Sequence, residues 1–326
     1  MSISDIDQIE CYKIWDVNIP SVPPRSRLYS LEPIGIGTPY VESLTSYVTR
    51  LAQVHCVTLQ ALVMKIILPE LERFNDALDY GYHFNNFRIE NISTLNGISP
   101  ISAMWVEVLQ NLTSRQDLRF LTLLTWRNVL AVDRLLCKHK RWCLLCLEEW
   151  KQRQEPIYEP LIWTLNGIDI CLRHKRLLTI ECPQCLKRQP ILTKITLPGH
   201  CSFCEGWLGD VFNFEPTELV VCDTKEASQQ CWVVEGVGEM LEAAPNLLEI
   251  PQQGHFAFVI NAYMENMAKS RMNAFARLLN ITAASLWGYI RKEDLPYIYS
   301  FLHICYTLSI FLFKLTAFYG RRQAVP

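Results

Sequence analysis

Eight side chains near the middle of this chain share a spacing that suits metal binding. Cys143 and Cys146 stand two residues apart, and Cys171 and His174 repeat that separation after 24 residues. Seven residues further on come Cys182 and Cys185, then, after 15 more, Cys201 and Cys204. Two intervening residues let a tight turn aim both side chains at one tetrahedral ion, and a second turn closes the shell. The spacing therefore predicts two zinc ions, one held by Cys143, Cys146, Cys171 and His174, the other by Cys182, Cys185, Cys201 and Cys204. The second quartet has the separation of a zinc ribbon. Each quartet supplies four good ligands and leaves no position for water or substrate, so the expected role is structural. A zinc deaminase would need His-x-Glu followed by Pro-Cys-x-x-Cys. Here Lys175 and Arg176 follow His174, and the proline lies inside a pair as Pro183. Cys137, His139 and His200 are close enough to be substitute ligands, whereas Cys11, Cys56, Cys222, Cys231 and Cys305 read as core or surface thiols.

Basic residues crowd the same region: Lys138, Lys140 and Arg141, then Arg173, Lys175 and Arg176, then Lys187 and Arg188. They fit either a solvated charged surface or a contact to nucleic-acid phosphates or an acidic partner. Elsewhere no nucleophile with its base stands out. Gly35-Ile-Gly37 lacks the Gly-Lys-Ser/Thr that a phosphate loop requires. The reading is of a non-enzymatic protein.

The elements that must position these residues are mainly helical. Residues 1–137 read as an amino-terminal helical domain, 138–212 as a tandem zinc-binding region, and 213–326 as a linker with a carboxy-terminal domain. Prolines at 20, 23, 24, 33 and 39 keep the first forty residues out of regular helix. Leu44, Tyr47, Val48, Leu51 and Ala52 recur at the spacing of one helix face. After a break at His55 to Val57, Thr58 is placed to cap a second helix, giving a helix-turn-helix. Ser99-Pro100 reads as another helix start, and a mostly apolar helix is expected over Leu118 to Leu136. Pro216 to Gln253 reads as a linker with one short helix around Glu239 to Ala243.

A second helix-turn-helix is expected from Asn273 to Asn280 and Thr282 to Arg291. Phe275, Leu278 and Leu279 would face Leu286, Tyr289 and Ile290, with Trp287 also packed. Thr282, Ser285 and Arg291 are the side chains that could reach a groove, a thin set of base readers. A bundle reused for protein contact fits equally well.

Half of the 326 residues are hydrophobic and a fifth are charged, with a net charge of −2, so a globular protein is expected and one that coats DNA non-specifically is not. The first residues lack the pattern of a signal peptide. With thirteen cysteines that suit metal better than disulfides, this points to the cytoplasm. Phe301 to Tyr319 approaches the length of a membrane span. It contains His303, Lys314 and several hydroxyls, and reads instead as two packed helices of a soluble domain.

Taken together, these residues resemble the TniQ family, which includes the TnsD-like target selectors of heteromeric transposons. The resemblance lies in Pro33, Glu42-Ser43-Leu44-Thr45-Ser46-Tyr47 and Arg50-Leu51-Ala52. It continues through Leu95-Asn96-Gly97, Trp105, Leu112-Thr113 and Leu121-Thr122-Leu123. Trp142-Cys143-Leu144-Leu145-Cys146-Leu147, Leu161-Ile162-Trp163 and Cys171-Leu172-Arg173-His174 carry it through the first quartet. Leu144 stands where the family usually has proline, which bears on the turn more than on the metal. Ala276-Arg277-Leu278-Leu279, Leu286-Trp287 and Leu295-Pro296 resemble the distal helix-turn-helix.

The resemblance implies a protein that directs transposon insertion and bridges target recognition to a TnsC-like AAA+ ATPase. Some relatives read a duplex DNA attachment site directly. Others sit on an RNA-guided Cascade complex in a CRISPR-associated transposon and let base pairing choose the site. Near-neutral charge, sparse readers and modest length favour the Cascade-bound adaptor. A TnsD-like direct reader, a zinc-containing helix-turn-helix transcription factor and a zinc enzyme are the alternatives.

Overall fold

The computed structural model describes residues 25–78, 94–210, 225–269 and 271–310. Helix α1, Leu44–Val54, starts where the Ser43 side chain accepts the Ser46 N–H at 3.3 Å. Its Leu44, Tyr47, Val48 and Leu51 are wholly buried. A turn follows with Cys56 in the left-handed region. Thr58 then accepts the Ala61 N–H at 3.2 Å and opens α2, Leu59–Leu78, bent 97° from α1. Val63–Ile67 form a π-helical turn inside α2, with Val63 and Ile67 both buried.

Ser99 and Pro100 begin α3, Pro100–Thr113, as their types predict, with Ser99 Oγ accepting the Ser102 N–H at 3.1 Å. Helix α3 lies along α2 and carries the buried Trp105 and Leu109 into the shared core.

The helix expected over Leu118 to Leu136 does not form. The chain makes two 3₁₀ turns, Leu118–Leu121 and Leu124–Trp126, and then irregular turns. Local hydrogen bonds interrupt the helical ladder. Thr122 Oγ1 donates to the Arg119 carbonyl at 2.7 Å and accepts the Leu124 N–H at 3.2 Å. The Leu123 N–H goes to the Asn96 carbonyl at 3.0 Å. Such side-chain bonds compete directly with helix. Leu118, Leu121, Leu123, Trp126, Val129, Leu130 and Leu135 are all buried, more apolar sides than one helix stripe could bury against a single neighbour.

Beyond it α4, Leu144–Gln152, is the one α-helix between residues 136 and 208, a stretch otherwise joined by isolated antiparallel bridges. Among the described residues the fold is mostly helical, with no extended strand.

The linker expected from Pro216 to Gln253 contains instead a long helix, α5, Lys225–Ala243. Val234, Val237, Met240 and Leu241 are buried at helical spacing. A Cβ on Gly238 would meet Leu172 at 3.0 Å and Pro39 at 3.1 Å, so this glycine sets how closely α5 seats on the preceding region. Cys231, expected as a thiol, is disulfide-bonded.

Helices α6, Gln253–Ala268, α7, Met272–Leu278, α8, Ala283–Arg291, and α9, Ile298–Thr307, complete the described chain. Phe256, Phe275, Leu279, Leu286 and Phe301 form their core. Leu278 and Trp287, expected inside, are about half exposed; Phe275 on α7 and Leu279 just after it already take the inward positions, and α8 turns Leu286 and Tyr289 inward instead. The Ala131 N–H donates to the Pro296 carbonyl at 2.9 Å, tying this bundle to the preceding region. The second helix expected in Phe301 to Tyr319 lies outside the described residues, as do the prolines at 20, 23 and 24 and the thiols Cys11 and Cys222. No single described helix is long and apolar enough to cross a membrane.

Candidate metal centres

The eight predicted ligands converge on two points. In each quartet all four donor atoms lie within 4.8 Å of one another. In the first, His174 Nδ1 is 3.4 Å from Cys143 Sγ, 3.3 Å from Cys146 Sγ and 3.7 Å from Cys171 Sγ. Cys146 Sγ is 3.6 Å from Cys171 Sγ. In the second, Cys182 and Cys204 are 3.7 Å apart, and Cys185 and Cys201 3.6 Å. A tetrahedral ion with metal–sulfur bonds of about 2.3 Å needs sulfur–sulfur edges of roughly 3.8 Å. Both cages fit a metal ion.

Three of the four ligand pairs are built on one backbone turn. In each, the N–H of the first cysteine donates to the carbonyl five residues on: Cys171 to Arg176 at 2.8 Å, Cys182 to Lys187 at 3.1 Å, Cys201 to Gly206 at 2.9 Å. The residue after the second ligand takes a left-handed conformation, at Lys175, Leu186 and Glu205. Backbone amides then point at the first sulfur, as from Gln184 to Cys182 at 3.4 Å and from Phe203 to Cys201 at 3.3 Å. Amides so directed favour the thiolate, the form that binds metal. The bridges Ile170 to Leu177, Glu181 to Arg188 and His200 to Trp207 close the three turns.

The fourth pair differs. Cys143 is the N-cap of α4 and Cys146 lies in its first turn, where exposed amides and the helix dipole also favour a thiolate. Leu144, in place of the usual proline, begins this helix without disturbing it.

Helix α4 also supplies a residue that ligand spacing could not reveal. Glu149 Oε1 is 2.9 Å from His174 Nε2, on the side of the ring opposite the sulfurs, and Arg173 reaches Oε2 at 3.1 Å. Partial desolvation pushes the Glu149 carboxyl up, but His174 and the nearby arginines outweigh it and hold it below the usual carboxylate range. A carboxylate on Nε2 fixes the tautomer that leaves Nδ1 free to ligate.

The two cages share supports. Trp142 Nε1 donates to the Leu208 carbonyl at 2.9 Å, and Trp207 Nε1 to Glu148 Oε2 at 3.0 Å. Gln189, wholly buried, accepts the Ser202 N–H at 2.9 Å and donates to the Lys187 carbonyl at 2.8 Å, joining both turns of the second cage. None of the three substitute ligands enters a cage. His200 Nδ1 lies 3.0 Å from the Glu205 carbonyl, and burial pushes the Cys137 thiol up to about 11.

Most of the basic residues of this region are engaged by the chain's own acids. Lys140 is buried and pairs with Glu159 at 2.5 Å, which removes it from any surface contact because its ammonium faces the interior. Arg141 pairs with Asp169 and donates to the Ile168 carbonyl at 2.8 Å. Lys175 pairs with Glu235 at 2.7 Å and Arg188 with Glu181 at 3.3 Å. Lys187 lies over the Phe203 ring at 5.0 Å. Arg176 is half-buried and Lys138 exposed. In the distal helix-turn-helix Thr282 Oγ1 accepts the Ser285 N–H at 3.0 Å and lies 2.8 Å from Ser285 Oγ. Arg291 pairs with Glu293 at 3.2 Å and stacks on Trp287 at 5.5 Å.

The Glu42-Ser43-Leu44-Thr45-Ser46 run is a buried joint. Glu42 pairs with Arg50 at 2.6 Å and accepts from Ser46 Oγ at 2.9 Å, while Ser46 Oγ accepts the Glu159 N–H at 3.0 Å. Thr45 and Asn96 exchange two hydrogen bonds of 3.0 Å.

No curated protein matches this chain. The TniQ family model matches residues 33–178, a span that holds the first cage whole and stops short of the second. Residues 33–178 of the chain are a TniQ domain.

Proposed function

We propose that this chain is a non-catalytic target-selection adaptor of DNA transposition, acting in the cytoplasm, that couples an RNA-guided Cascade complex to a TnsC-like AAA+ ATPase. The TniQ domain carries the reading, since members of that family choose insertion sites. The RNA-guided branch is favoured by the state of the cations. Phosphate binding draws on uncompensated Lys and Arg, and here Lys140, Arg141, Arg173, Lys175 and Arg188 already face carboxylates of the same chain. The Thr282 and Ser285 hydroxyls are engaged with each other and the helix start, leaving little for base edges. Where guide RNA reads the sequence, few base readers are needed.

In this reading zinc occupies both cages and is structural. Cys₃His and Cys₄ donor sets with no open position suit that ion and that role.

A TnsD-like direct reader is the second reading. Trp287 supports it, half exposed on α8 with Arg291 on its ring. Binding to mixed-sequence duplex DNA across a salt series separates the two. The adaptor binds weakly with a shallow salt slope and co-purifies with a guide complex. Tight binding that falls steeply with salt, without co-purification, would establish the direct reader.

A further inference from the structure

The amino-terminal helix-turn-helix carries a pocket of about 310 Å³, between α2, α3 and the extended segment before α1. Among its lining residues, Phe74 and Leu112 are apolar, Asn111 is neutral and polar, and Arg27, Arg73 and Glu70 carry charge. Both guanidiniums converge on one carboxylate oxygen. Arg73 Nη1 is 2.7 Å from Glu70 Oε1, and Arg27 Nη1 pairs with the same atom. One carboxylate cannot neutralise two guanidiniums, so this charged trio has a net positive charge. The arginine side chains remain 58% and 72% exposed, whereas Glu70 is 22% exposed beneath them.

The pocket is held in place before any ligand arrives. The Leu28 N–H donates to the Leu112 carbonyl at 2.8 Å and the Tyr29 N–H to His55 Nε2 at 3.0 Å. These bonds fix the backbone beside Arg27 on α3 and at the turn between α1 and α2. Glu70 occupies both arginine heads where an incoming carboxylate would sit.

We infer that this pocket is a docking site for an acidic peptide segment of a partner protein. A partner carboxylate displaces Glu70 from the two guanidiniums, and an apolar neighbour of that carboxylate enters against Phe74 and Leu112. Planar guanidiniums match a carboxylate in two parallel hydrogen bonds. The volume lies at the low end of ligand sites, enough for one or two side chains. A nucleic-acid backbone fits less well, because Glu70 sits beneath the clamp and the remaining wall is partly apolar. Such a pocket serves an adaptor whether guide RNA or the protein itself selects the DNA site.

The test uses an array of hexapeptides pairing one Asp or Glu with apolar neighbours, beside their Asn and Gln counterparts, probed with the full chain. Binding should favour the acidic peptides and fall tenfold or more in Arg27→Ala/Arg73→Ala. It should rise several-fold in Glu70→Gln, which removes the internal competitor. Both replaced arginines are largely exposed, so melting temperature and metal content should stay unchanged. These opposite responses are not expected of a general loss of structure. Equal binding of acidic and neutral peptides, indifference to both variants, or displacement by duplex DNA would overturn the assignment.

Discussion

The two metal cages share a two-residue separation within each ligand pair but lie in unlike surroundings. The first gathers three buried cysteines around His174, joins a helix start to a turn, and lies against a buried aromatic group. Trp150 stacks on Tyr158 at 4.5 Å and on Trp163 at 5.8 Å beside it. The second joins two turns, and its Cys204 is exposed and its Cys185 only partly buried. Leu186 and Phe203, each next to a ligand, are more than half exposed. Metal in the first cage would therefore complete a core that also has apolar packing. Metal in the second would hold a short stretch whose apolar burial is limited to Ile191, Leu192 and Leu208 beside its ligands, and a module with so small a core depends more on the ion for folding.

The strongest challenge to that contrast is Cys146→Ser. A structural zinc ion contributes on the order of 10 kcal/mol, more than the usual stability of a domain, so this variant should lose cooperative unfolding of the TniQ domain. A native-like thermal transition would contradict a structural first cage.

Cys182→Ser should unfold residues 182–208 and lose one ion, while the near-ultraviolet signal of the first cage's tryptophans persists. Elemental analysis should give two zinc ions per chain in the parent protein and one in this variant. A graded chelator should empty the exposed cage first. Equal loss from both cages would erase the distinction.

The contrast extends to the buried joint at Glu42, which serves the first cage's domain. Burial pushes this carboxyl up to about 7 from an ordinary value of 4.5, with Arg50 and Ser46 opposing the rise. The folded state thus holds the proton more tightly. The resulting stability is fully present below the unfolded value and is lost as pH rises through about 7. Relative to Glu42→Gln, the parent chain should lose about 3 kcal/mol between mildly acidic and mildly alkaline pH. A pH-independent difference between the two chains would mean that Arg50 keeps Glu42 ionised throughout. Metal loss in acid affects both chains alike and cancels.

The smallest expected effect belongs to Glu149→Gln. Replacing a carboxylate behind a histidine ligand typically costs about 10- to 100-fold in metal affinity. That loss should appear at the first cage alone, read by competition with a chromophoric chelator. An equal loss at the second cage would show that α4 couples the two through Glu148 and Trp207.

Helix starts were legible wherever a single side chain satisfies a nearby amide. Thr58 and Ser99 cap the helices expected to start at them, and Ser43 and Thr282 do the same for α1 and α8. Local periodicity failed where distant partners intervene. The apolar run after Leu118 is divided by the carbonyl of Asn96, and α5 buries Val234, Val237, Met240 and Leu241 while seating Gly238 against Leu172 and Pro39, partners distant in sequence.

The sequence by itself predicted the eight side chains that meet in two quartets, because two residues between donors and one turn around them are local geometry. It also carried the family, through the run from Glu42 to Tyr47 and the order of the first four ligands. Only the tertiary structure decided which charges remain available. Lys140 meets Glu159 19 residues away, Lys175 meets Glu235 60 residues away, and Arg27 meets Glu70 43 residues away. Ion pairing depends on distance in space, and no spacing along the chain encodes it.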